Sequence, residues 1–194
     1  MTGDSAVLLQ RVGTLVAESA EAAVVEELVF RGFLLVLCLY VARNRDAKRP
    51  LWTAIWASSL IFGLMHVVTS PLPSPLNVVV VVQAVLKMAE GTAFGLIMCA
   101  LVVRNPRFWR EGPTRYLALA VPMAVHFVFD VVYLGPSVLA TGSLPTTYLT
   151  GNPQDLLPLL ISTILLFAVA ALCRRSFMLG CDHEQKRSSQ HTRP

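Results

Sequence analysis

Two adjacent glutamates and an arginine, Glu26, Glu27 and Arg31, sit in a run that is otherwise apolar from Ala22 to Ala42. Such a run is long enough to cross a bilayer, and it is a costly place for charge. Further apolar runs carry His66, the pair Lys87 and Glu90, and His126 with Asp130. A charged side chain near a bilayer centre costs roughly 2.5 to 3.5 kcal/mol, so the six carboxylates and cations left unpaired would cost on the order of 15 to 20 kcal/mol. A folded domain has only about 5 to 15 kcal/mol of net stability. These groups must therefore turn inward, satisfy one another or line a watered cavity, and intramembrane ionisable residues of this kind are candidates for function.

The rest of the chain agrees with a membrane protein: 55% of residues are hydrophobic, 14% are charged, and the mean hydropathy is +0.61. Long apolar runs predict five spans, about Leu15 to Ala42, Trp52 to Val68, Leu76 to Val103, Tyr116 to Leu139 and Leu156 to Leu172. The expected fold is all-α, a polytopic membrane helix bundle of about five transmembrane helices around a central polar cavity. It would occupy residues 1–172, with residues 173–194 as a polar, disordered cytoplasmic tail.

Lysine and arginine fall mainly into three clusters, at 43–49, 104–115 and 174–193, which hold all but three of the 16. The connections 69–75 and 135–155 contain none. The positive-inside rule then places the N-terminus outside and the C-terminus in the cytoplasm, in an integral protein of the cell membrane. The net charge of +4 follows from this topology, and no interleaved basic and aromatic stripe supports nucleic-acid binding. The first apolar run is too long and too acidic for a signal peptide. Cys38, Cys99, Cys173 and Cys181 lack the paired spacing of a zinc or redox motif and read as reduced thiols.

Glu27 and Arg31 are four apart and share a helix face, whereas Glu26 points about 100° away from Glu27. One acid gains a built-in cationic partner; the other is free to face a second surface, the division of labour expected when one carboxylate acts as a base and the other holds position. Phe62 with His66, and His126 with Asp130, are also spaced by four, and Pro122 one turn before His126 would kink its helix towards a cavity. Lys87 and Glu90, with Gln83 a turn earlier, read as a satisfied structural stripe, and Gly91 with Gly95 as a close-packing pair on a central helix. The charge-derived topology sets Glu26 about four residues, ~6 Å, inside the outer end of its run. His66, His126 and Asp130 fall near the same layer.

The segments Glu26-Glu27-Leu28-Val29-Phe30-Arg31, Phe62-Gly63-Leu64-Met65-His66 and His126-Phe127-Val128-Phe129-Asp130 resemble the EExxxR, FxxxH and HxxxN/D motifs of the CPBP family of intramembrane proteases. That family includes the type II CaaX prenyl endopeptidases and proteins linked to bacteriocin immunity. The resemblance spans about residues 15 to 135. It implies catalytic roles for Glu26, His66, His126 and Asp130: Glu26 as the base that activates water, His66 in binding that water, and His126 with residue 130 in stabilising the oxyanion. Glu27, Arg31 and Phe62 would support the site. Position 130 is Asp where the prenyl endopeptidases carry Asn, so a prenylated substrate is not implied. The resulting expectation is a glutamate-dependent intramembrane endopeptidase that cleaves a membrane-associated protein or peptide without a cofactor. The alternatives are a zinc-dependent version with Glu26, His66 and His126 as ligands, a non-catalytic binding or immunity protein, and a small proton-coupled transporter.

Overall fold

A computed structural model of the chain describes residues 3–71, 73, 76–143, 149–173 and 177, and these residues form helices and connecting turns with no strand. The first helical course runs from α1 (Gly3–Glu27) through a π-helical segment (Leu28–Leu34) into α2 (Leu35–Asn44). Helices α3 (Pro50–Val68), α4 (Val78–Arg104), α5 (Ala120–Thr141) and α6 (Leu156–Leu172) follow, with 3-10 turns at Pro106–Trp109, Pro113–Leu119 and Pro153–Asp155.

All five predicted apolar runs are helical, and the fold is the polytopic α-bundle that they imply. Four segments among the described residues are long and apolar enough to cross a membrane: Pro50–Val68, Val78–Arg104, Pro113–Thr141 and Pro153–Leu172. The first course is distinguished by its acids, since Glu18, Glu21, Glu26 and Glu27 dilute its apolar character.

Helix ends follow local chemistry. Pro50 opens α3, where its missing N–H is no loss. The Asn77 side chain accepts from the Val80 N–H and starts α4. Gly142, at φ +81°, closes α5.

Helix α4 is the most enclosed, packed between α3 and α6, while α5 packs on α1. The predicted small-residue face explains how closely α3 and α4 approach: a Cβ on Gly91 would lie 2.9 Å from the Gly63 Cα, and one on Gly95 would lie 3.0 Å from the Ser59 Cα. Gly63 is tighter still, with Met88 O at 2.3 Å from its virtual Cβ. Gln83 is buried, donating to Thr150 Oγ1 and the Asn152 carbonyl and accepting from the Gly151 N–H, so it ties α4 to the turn before α6.

Of the expected tail, Cys173 and Phe177 are described; Phe177 is buried, its ring 5.0 Å from that of Trp52. Its remaining residues, Cys181 among them, lie outside the described residues.

Candidate active site

The site begins where the first helical course changes its winding. Immediately after Glu27 the backbone opens into π-helix, and at its end the Leu35 N–H reaches back five residues to the Phe30 carbonyl. Single π turns inside α-helices concentrate at functional sites. Arg31 lies within the wider turn and remains stacked over Glu27, with Nη1 3.1 Å from Oε1. The contact is an ion pair whose N–H hydrogens are not aimed at the carboxylate. Both side chains are essentially inaccessible, 1% and 0% exposed. The Phe62 ring covers the guanidinium at 4.3 Å, so the desolvated cation has an aromatic face as well as an acid.

His126, on α5, joins this pair to the other acids. Its Nδ1 lies 2.9 Å from Glu27 Oε1, and a carboxylate can only accept, so Nδ1 carries the hydrogen. The opposite nitrogen, Nε2, faces Asp130 Oδ2 at 3.5 Å and Glu26 Oε2 at 3.7 Å. The rings of Phe94 at 4.9 Å and Phe62 at 6.4 Å meet the imidazole edge to face and hold its orientation. Glu26 is the open member of the group: its side chain is 32% exposed, while its Oε2 is covered and makes no hydrogen bond among the described residues.

His66, on α3, donates from Nδ1 to the Phe62 carbonyl at 2.9 Å. A carbonyl cannot donate, so in the neutral ring Nε2 is left with its lone pair. Beside it is a cavity of about 40 Å³, room for a very few water molecules. His66, His126 and Asp130 line it together with Lys87, Glu90 and a wall of Phe62, Phe94, Phe129 and Tyr133.

The three helices thus gather the predicted residues, with differences. Glu26 and Glu27 do not have wholly separate neighbours; they lie at opposite nitrogens of one imidazole, because α5 packs across the face between them. Glu26 flanks the cavity without lining it. Pro122 stands in the first turn of α5, which 3-10 winding precedes, so it shapes the entry of the helix rather than kinking it before His126.

Lys87 and Glu90 form the satisfied pair that their spacing implies, and they also line the cavity. Lys87 Nζ lies 2.6 Å from Glu90 Oε2 and 4.9 Å above the Tyr133 ring, the Ser162 hydroxyl donates to Glu90 Oε1, and the pair lines the same cavity as the histidines. The available signal was the spacing Lys87, Glu90, Gly91 and Phe94, which places the pair on the glycine face that meets α3. Among the described residues, no group of three or more His, Cys, Asp or Glu side chains is arranged to hold a metal ion. Cys38, Cys99 and Cys173 are free thiols.

Comparison with curated proteins and with solved structures brings no match. The family model of the type II CAAX prenyl endopeptidase Rce1-like proteins matches residues 9–132, a stretch that runs from within α1 into α5 and holds the glutamate pair, His66, His126 and Asp130. The chain is an integral membrane protein that belongs to the Rce1-like type II CAAX prenyl endopeptidase family, a family of proteases.

Proposed function

We propose that the chain is a glutamate-dependent intramembrane endopeptidase acting on a membrane-associated protein or peptide. The observation that carries this reading is the placement of His126. Its Nδ1 is held by the buried Glu27–Arg31 pair, and its Nε2 stands between Glu26 and Asp130 beside a water-sized cavity.

In the proposed reaction Glu26 takes a proton from water as the water oxygen bonds to the peptide carbonyl carbon. The lone pair on His66 Nε2 accepts from that water. Charge developing on the carbonyl oxygen is met by His126, whose Nε2 donates when the ring is protonated at both nitrogens, and by Asp130, which serves as a donor when protonated or otherwise orients the imidazole. Lys87 adds a cation to the same wall. The carbon–nitrogen bond then breaks, and the proton held by Glu26 passes to the leaving amine. Glu27, Arg31 and Phe62 keep His126 and the π turn in place and touch no reacting atom. The reaction needs no cofactor or metal.

The exposed flank of Glu26 is the approach for substrate, because the cavity itself has no room for a peptide. The arginine-rich ends of the spans face the cytoplasm of a cell-membrane protein, and the N-terminus lies outside.

The test is peptidomics of host membranes expressing the chain or Glu26→Gln at matched abundance. Fragments present with the native chain and absent with the variant are expected. An identical fragment pattern would remove Glu26 as the base.

A further inference from the structure

A second cavity is larger than the one beside His126. About 230 Å³ lies open where the end of the first helical course meets the connection between α4 and α5. Tyr40, Arg43 and Asn44 line it from α2, and Phe108, Trp109 and Arg115 from the 3-10 turns. Two arginines distant in sequence therefore converge on one open pocket at the basic end of the bundle.

The walls say what kind of ligand suits it. Phe108 is buried and forms a floor. The Trp109 indole N–H is spent on the Val103 carbonyl at 2.9 Å, so the ring is a fixed wall. Arg115 has no salt bridge among the described residues; its guanidinium lies 5.7 Å over the Phe108 ring and 6.0 Å over Tyr116. Its charge is thus positioned by ring faces, leaving the planar N–H fork for an anion. Arginine matches phosphate oxygens in pairs, and the Asn44 amide adds a neutral donor. Tyr40 and Tyr116 are 64% and 51% exposed, as aromatic rings are at the headgroup level of a bilayer. Basic pockets between transmembrane helices at that level take phosphate-bearing headgroups.

We infer that this pocket binds a phosphate group, supplied by an anionic phospholipid headgroup or by a soluble phosphate compound. The site is separate from the cavity at His126, and the inference does not depend on proteolysis.

The purified full chain in a neutral detergent is titrated with short-chain phosphatidylglycerol, with phosphatidylcholine of equal chain length, and with inorganic phosphate. Thermal unfolding and native mass spectrometry are the readouts. Saturable binding of phosphatidylglycerol with a raised melting temperature is expected. Arg115→Gln and Arg43→Gln should each weaken it about fivefold, the usual contribution of one basic residue near an anionic headgroup. Arg115→Lys, which keeps the charge and loses the fork, provides a second reading if Arg43→Gln fails to fold.

Arg45→Gln removes an exposed charge from the same basic loop outside the pocket and should matter much less. Protection by inorganic phosphate with the same arginine dependence would identify the source as soluble, whereas protection by the lipid alone would identify the headgroup. Equal binding of phosphatidylcholine, equal loss in the Arg45 variant, or no binding of either phosphate source would overturn the inference.

Discussion

Replacing Glu27 by Gln should damage the fold far more than the same change at Glu26, although the two residues are adjacent and chemically identical. Glu27 is fully buried, meets Arg31 at 3.1 Å and accepts from His126 at 2.9 Å. An amide at this position can still accept from His126 but leaves the Arg31 guanidinium, itself 1% exposed, without its counter-charge. Breaking one side of a buried pair costs about 3 to 5 kcal/mol. That loss lowers the folded-to-unfolded ratio by roughly 10² or more, at about tenfold per 1.4 kcal/mol. Glu26, a third exposed and with its Oε2 making no hydrogen bond among the described residues, should lose well under about 1 kcal/mol. Denaturant unfolding in micelles, with abundance in membranes measured alongside, compares the two.

The double change Glu27→Gln with Arg31→Met separates causes, because replacing a buried pair by apolar groups can be close to neutral. It should recover much of the loss. A double variant no more stable than Glu27→Gln, or a Glu26→Gln variant equally destabilised, would refute the assignment of Glu27 and Arg31 as the brace.

Asp130→Asn keeps the shape and gains a donor, so cleavage should largely survive, while Asp130→Ala should cost about 10² to 10³ in rate, the usual loss for an oxyanion donor. Failure of both variants together with stoichiometric metal in the parent chain would favour the metal-dependent mechanism. Lys87→Met should lower the cleavage rate at retained substrate binding; an unchanged rate would return Lys87 to a purely structural role. Gly63→Ala places a Cβ 2.3 Å from the Met88 carbonyl and 2.5 Å from Thr92 Oγ1, so α3 and α4 must separate. A destabilisation of about 1 to 3 kcal/mol or more is expected on unfolding, and no change would contradict the close crossing. Cysteine at Ser143 should be labelled by an impermeant reagent added outside cells and cysteine at Arg107 should not; the reverse pattern would invert the topology.

The features legible from residue order are those that a single helix decides. Apolar runs set the helices, because about 20 such residues have one stable course across a bilayer. The Glu27–Arg31 pair followed from a spacing of four, which brings side chains together on any helix, and Gly91 with Gly95 marked the central helix by the same logic. The family motifs were readable for a related reason: each is a short spacing on one helix. The tertiary structure decided what passes between helices. Nothing local required His126 to place Nδ1 on Glu27, 99 residues away, with Nε2 towards Glu26 and Asp130. That contact exists because α5 packs on α1. Lys87 and Glu90 joined the cavity because α4, its glycines pressed against α3, turns their face towards the histidines. The π turn after Glu27 and the chamber between Arg43 and Arg115 likewise arise where helices meet, since neither a change of winding nor a void is encoded by the polarity pattern of one segment.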